Sequence, residues 1–265
     1  MAKRSFPLII LRDNVSGGTP VVSTESPGQT FEIESRYVPV EPLKDTPNET
    51  LRMGALVDRD SPIADIPRDS TVVVAGPPMT GKYMVMLSII ATHADDAIVI
   101  STKNGASRVT EDFDRAIGEP FEGRLGIIDC ISRPEQLDGG DTDLIKHVPS
   151  PENLTRIGVK FTELFELFYE EGSPRHTGVG THSISQLLMH SELKNVYQFL
   201  QVLTGQIRSA DWLGVAVVDT NVDEEELQTL YHHFDGIVET RENDAGEREL
   251  RVRGIEPTAS PWSAF

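Results

Sequence analysis

The sequence predicts an α/β protein: a mainly parallel β-sheet flanked by helices, with a C-terminal β-hairpin and an irregular N-terminal arm. Three observations carry that expectation. From Thr71 onward, short apolar runs alternate with amphipathic helical stretches. A glycine-rich segment, residues 76–83, joins the first apolar run to the first helix, and two β-rich stretches flank a turn near the C-terminus. The 265 residues, 38 % of them hydrophobic, suit one full-sized domain with appendages, and a second complete domain would be cramped.

Residues 1–64 read as an arm, partly extended or disordered, and residues 65–265 as the domain. FPLIIL at 6–11 has the composition of a short strand. Residues 12–50 are rich in Pro, Gly, Ser, Thr and Glu without a helical period, and a short helix is expected around 49–57. Parallel strands are predicted at 71–75 (TVVVA), 97–101 (AIVIS), 125–129 (LGIID), 177–181 (TGVGT) and 213–219 (LGVAVVD). Helices are predicted at 81–93, 106–117, 151–170 and 191–209. The third should turn Leu164, Phe165, Leu167 and Phe168 inward, and the fourth carries Leu193, Val196, Leu200, Leu203 and Ile207 on one stripe. Residues 132–150, with Pro, Gly and several Asp, read as an exposed loop. The hairpin is expected at 236–241 and 247–254 around a turn at 243–246, and the tail from Pro257 is either loose or docked by Trp262 and Phe265.

The charge narrows the choice of partner. Forty-two acidic residues against 24 basic ones give −18, and only seven of the basic residues are lysines. Such a surface repels nucleic acid, and the longest basic cluster is Lys3–Arg4. The same composition suits a protein of concentrated salt, where charge repulsion is screened. A single cysteine, Cys130, excludes an intramolecular disulfide framework and a CxxC metal site, and reads as a buried filler. No apolar run reaches the roughly 18 residues of a membrane span, so a cytoplasmic location without membrane insertion is expected.

The stretch VVVAGPPMTGKY places Gly76, Gly81 and Lys82 at the spacing of a GxxxxGK[ST] phosphate loop, after a strand and before a helix. In such a loop, here Gly76, Pro77, Pro78, Met79, Thr80, Gly81, Lys82 and Tyr83, the backbone N–H groups of the non-proline residues of the bend and of the helix N-terminus face phosphate oxygens, and Lys82 adds charge. The structural alternative is an ordinary glycine-rich turn. The eighth position is Tyr83, where a Ser or Thr hydroxyl would meet Mg²⁺; a neutral phenol at the end of a ring is a poor ligand for that ion.

With these residues in view, the chain resembles the RecA/KaiC-like P-loop ATPase superfamily, and within it the KaiC-related proteins of haloarchaea, with degenerate nucleotide motifs. The resemblance spans about residues 65–265, through STVVVAGPPMTGKY, AIVISTKNGASRVTEDF, RLGIIDCIS, GVGTHSISQLL, LGVAVVD and RENDAGERELRVRGI. It implies a nucleotide site, ATP or ADP as ligand, and ring or filament assembly. In active members a carboxylate on the strand entering the SxSxLL segment holds the metal, and acidic residues after the second strand align water. Here His182 and Lys103–Asn104 stand at those places. Imidazole lacks the charge and lysine lacks an acceptor, so three roles are lost together.

The leading expectation is therefore a nucleotide-binding regulator or scaffold that hydrolyses very slowly or not at all. Lys82 and Lys103 would replace the charge of the ion, ATP or ADP without magnesium would be the ligand, and a protein partner or a homo-oligomer would read the bound state. Two rivals stand beside it: an active KaiC-like ATPase whose rearranged metal site is restored by Asp219 or by a neighbour's residue, and a nucleotide-free interaction scaffold. Asp129 reads as a turn cap before a metal ligand. Arg208, Arg241, Arg251 and Arg253 are either surface charges or groups that reach a neighbour's phosphate. His232 and His233, on a predicted helix, diverge by about 100° and cannot chelate together, so one should be packed and one exposed.

Overall fold

The computed structural model describes residues 61–132, 140–169, 175–221 and 223–265, all within the compact unit Glu49–Phe265. The arm, with its expected strand at 6–11 and helix at 49–57, lies outside the described residues. The strands are β1 (Thr71–Gly76), β2 (Asp96–Ser101), β3 (Leu125–Asp129), β4 (Ile145–His147), β5 (Thr177–His182), β6 (Leu213–Asp219), β7 (Gly236–Glu242), β8 (Arg248–Arg253) and β9 (Ser263–Ala264). They form one sheet in the order β4-β3-β2-β5-β6-β1-β7-β8-β9. Every pairing from β4 to β7 is parallel, and β8 and β9 add antiparallel. The helices are α1 (Lys82–His93), α2 (Ala106–Ile117), α3 (Leu154–Phe168), α4 (Ile184–His190), α5 (Leu193–Ser209) and α6 (Glu224–Tyr231).

The unbroken apolar strands are explained by burial on both faces. Side chains alternate along a strand, so Val72 and Val74 of β1 join the core under α1 and α2, while Val73 and Ala75 join the one under α3, α5 and α6. Along α1, Val85, Met86, Leu87, Ile89 and Ile90 are all fully buried, because the helix is pressed between the sheet, α2 and the 3₁₀ turn Pro62–Asp65. Helix ends follow local chemistry. Asn153 accepts from the Arg156 amide and Asp223 from those of Glu225 and Glu226, while Gly118 closes α2 in the left-handed conformation.

Four expectations need correction. Within 132–150, residues 145–147 form edge strand β4, paired in register with β3 at Ile127↔Ile145, and Val148 beyond it is fully buried. A three-residue strand with a central lysine has too short a pattern to read. The inward face of α3 is Ile157, Phe161, Leu164 and Phe168, whereas Leu167 is exposed and Phe165 half-buried. That is the three- and four-residue step, which the adjacent pairs chosen from sequence do not follow. The 191–209 segment is preceded by a separate short helix, α4. His232 and His233 follow α6 instead of lying on it; His233 is buried and His232 exposed. The tail is docked: Trp262 lies under the guanidinium groups of Arg241 (3.9 Å) and Arg251 (4.6 Å), and Ser263–Ala264 pairs with β8.

Candidate functional site

The C-terminal ends of the parallel strands gather the residues singled out above. β1 ends at Gly76, which pairs in register with Asp219 at the end of β6. β5 ends at His182, paired with Ser101 of β2, and Lys103 follows two residues later. Thr102 holds the β2 and β5 ends together: its hydroxyl donates to the His182 carbonyl at 2.8 Å and accepts from the Ser183 amide at 2.7 Å.

Between β1 and α1 the segment 76–81 turns through two left-handed residues, Met79 (φ 66°) and Gly81 (φ 79°). A side chain at Gly81 would meet the Phe265 ring at 3.1 Å as well as that conformation, and one at Gly76 would fall on the Thr240 hydroxyl and carbonyl. Thr80 ties the loop down: its hydroxyl donates to the Pro77 carbonyl at 2.8 Å and lies 2.7 Å from that of Thr240. Pro77 and Pro78 are exposed at the bend, and Met79 is 87 % exposed. Sequence reading missed Thr240, Arg248 and Phe265 as neighbours of this loop, since nothing in their local sequence marks a contact with a segment some 160 residues away.

Lys82 opens α1 with only 5 % of its side chain exposed. Its ammonium bonds to the Pro77 carbonyl and pairs with Asp219 Oδ1 at 2.9 Å. Lys103 Nζ lies 3.7 Å from Asp219 Oδ2. Both ammonium groups thus converge on one carboxylate. Burial lowers the Lys82 pKa, and the bond to Asp219 works against that shift.

The Tyr83 and His182 rings stack, with centroids 4.1 Å apart and planes 21° from parallel. Burial pushes the Tyr83 hydroxyl up to about 12; it lies near Asn104 without reaching hydrogen-bond geometry. The imidazole is brought down to about 4, first by burial and then by Lys103, so it is neutral at physiological pH. His182 Nδ1 and the Tyr83 hydroxyl are buried without partners among the described residues.

The structure therefore brings Lys82, Tyr83, Lys103 and His182 together at one end of the loop. It does not bring the four arginines there. Arg208 bonds Thr71, His233 and Asp235; Arg241 pairs with Glu249; Arg251 and Arg253 pair with Glu239. Their intramolecular partners favour the surface-charge reading over reach to a neighbour. Asp129 accepts from the amides of Ala106, Ile131 and Ser132, which makes it the cap of α2 and its adjoining turn. Cys130 is 1 % exposed and its thiol is pushed up to about 12 by burial, as suits a packing residue. No group of three or more His, Cys, Asp or Glu with metal-binding geometry occurs among the described residues. No described helix is long and apolar enough to cross a membrane.

A sheet of this order, with a phosphate-loop sequence leaving its β1 strand and an antiparallel hairpin at one edge, defines the RecA/KaiC-like P-loop fold. Among solved structures, the chain is similar to an uncharacterised Pyrococcus horikoshii protein in complex with an unknown peptide: TM-score 0.52, 14 % identity, 74 % of this chain and 93 % of that one. It is also similar to a KaiC-like protein from Pyrococcus horikoshii OT3: TM-score 0.50, 13 % identity, 76 % and 85 % covered. At such identity the likeness establishes the fold alone. The chain belongs to the family described as "Family of unknown function (DUF7504)", which matches residues 70–240. No curated protein matches the sequence.

Proposed function

We propose that this protein binds a nucleoside polyphosphate, ATP or ADP, on the loop Gly76–Pro77–Pro78–Met79–Thr80–Gly81–Lys82–Tyr83 and acts as a regulator or scaffold with little or no hydrolysis. The observation that carries this reading is the convergence of Lys82 and Lys103 on Asp219. Two ammonium groups that share one carboxylate are spaced to share one phosphoryl group, and their combined charge serves where a metal ion would.

The stacked pair Tyr83 and His182 supports the second half of the proposal. Neither a buried phenol nor a neutral imidazole supplies the anionic oxygen that magnesium prefers. Lys103, at the end of β2, is a donor with no acceptor capacity for an attacking water. Without chemistry to drive, the bound state is useful only if another surface responds to it, so a protein partner or a second copy of the chain reads the site. The acidic composition disfavours a nucleic-acid partner.

Isothermal titration of the purified chain with ATP and ADP, in EDTA and in magnesium, tests the proposal. Binding that persists in EDTA, is abolished by Lys82→Ala, and comes without steady phosphate release is the expected result. Binding lost without magnesium would refute the lysine-for-metal part. Steady magnesium-dependent release that disappears in Lys82→Ala would favour the other reading, an ATPase with a rearranged metal site. The position of Asp219 beside Gly76, at the carboxyl ends of the strands where ligands of such folds gather, is what recommends that reading.

A further inference from the structure

We infer that Asp219 is the specificity-determining residue of this site: an internal carboxylate seated where a ligand's terminal phosphoryl group goes, which yields only to a polyphosphate able to grip the loop as well. The inference rests on the nucleotide-binding reading above and adds to it which anions the site admits.

Four observations support it. Asp219 places its two oxygens toward two different lysines, Oδ1 at 2.9 Å from Lys82 and Oδ2 at 3.7 Å from Lys103, as a bridging phosphoryl group would. Its backbone is anchored from both sides: its amide donates to Ser185 Oγ at 2.7 Å, and the next amide, Thr220, donates to the Gly76 carbonyl at 3.0 Å. The carboxylate is thus delivered by a fixed strand end, and only side-chain rotation is needed to withdraw it. No loop amide among the described residues donates to Asp219, so the carboxylate satisfies the lysines but leaves the anion-binding backbone unused. Beside the trio stands His182, with 7 % exposure, whose Nδ1 has no partner; a buried polar atom without one points to a group that arrives from outside.

The selectivity follows from competition. A carboxylate tethered next to its cations acts at an effective concentration of about millimolar or more. A simple oxyanion exchanges one ion pair for another and gains little against it. A diphosphate or triphosphate that keeps one phosphoryl group between the lysines and lays another on the amides of residues 79–83 gains contacts that Asp219 cannot make. The gate therefore rejects inorganic phosphate and passes nucleoside di- and triphosphates.

Titrations of the full chain with inorganic phosphate, ADP and ATP, in EDTA and again in magnesium, decide the matter, comparing wild type with Asp219→Asn and with Asp219→Ser, a smaller neutral replacement should the amide misfold. The expected result is ADP and ATP binding about tenfold tighter in the variant, with inorganic phosphate bound by the variant and not by wild type. Unchanged or weaker nucleotide binding in a cooperatively melting variant would overturn the inference while leaving nucleotide binding intact. Weaker binding seen only with magnesium would overturn it too, by making Asp219 a metal ligand. No binding by either protein would instead sink the nucleotide-binding reading, and this inference with it.

Discussion

His182 lies face to face with Tyr83, 4.1 Å between ring centroids, at the meeting point of β5 and the first turn of α1. His182 is buried and Tyr83 partly buried, so the pair packs ring face against ring face beside the first turn of α1.

The imidazole makes this contact pH-dependent. Its folded pKa of about 4 lies below the 6.5 of an unfolded chain, so the unfolded state takes up the proton first as pH falls. The stability it contributes is complete above about pH 6.5 and is lost between there and about pH 4, by roughly 3 kcal/mol. Denaturant midpoints of His182→Phe, which keeps the stack and cannot titrate, should fall less than those of wild type over that window.

Asp96 titrates lower. It is fully buried at the start of β2, at the end of the parallel strands away from the loop, where hydrogen bonds from Arg175 and Arg124 overcome the effect of burial and hold its carboxyl at about 2. Its contribution is present above pH 3.8 and is lost as pH falls towards 2. Asp96→Ala, which leaves two guanidinium groups without their shared carboxylate, should cost about 3 kcal/mol or more at pH 7, measured by urea unfolding.

Lys103 has 37 % of its side chain exposed, so removing it should spare the fold. Lys103→Ala is expected to weaken ATP binding in EDTA about tenfold, or 1.4 kcal/mol, and to leave the thermal midpoint within about 2 °C. Equal affinity of wild type and variant by titration would remove Lys103 from the site.

The docked tail offers a fourth check. Trp262 sits against Arg241 and Arg251, and Phe265 lies against Gly81. Trp262→Ala should cost about 1–2 kcal/mol through lost cation–π contact and packing, and should speed amide exchange in β8 and β9. Wild-type exchange rates in the variant would mean that the tail holds by its strand pairing alone.

Much of this architecture was legible because its signals are local. Strand β1, the glycine spacing and the lysine of the loop are consecutive residues with one mechanical use, and α2 occupies the predicted 106–117 because a left-handed glycine follows a clear amphipathic run. Strand β4 and helix α4 escaped notice for the opposite reason: at three and seven residues they are too short for a period, and β4 exists only because β3 offers an edge to pair with. The Thr80–Thr240 contact and the Phe265 approach to Gly81 were invisible because neither side carries a local mark of the other.

From the order of residues alone came the alternation of strand and helix, the glycine and lysine spacing of the loop, and the presence of Tyr83 directly after that lysine. Only the folded sheet decided that Lys82 and Lys103 share Asp219, that the two rings stack, and that four candidate arginines are engaged elsewhere. The reason is physical: a loop's backbone geometry is set by its own neighbours, whereas the partner of a charge is set by strand register, which places Gly76 opposite Asp219 across 143 positions of chain.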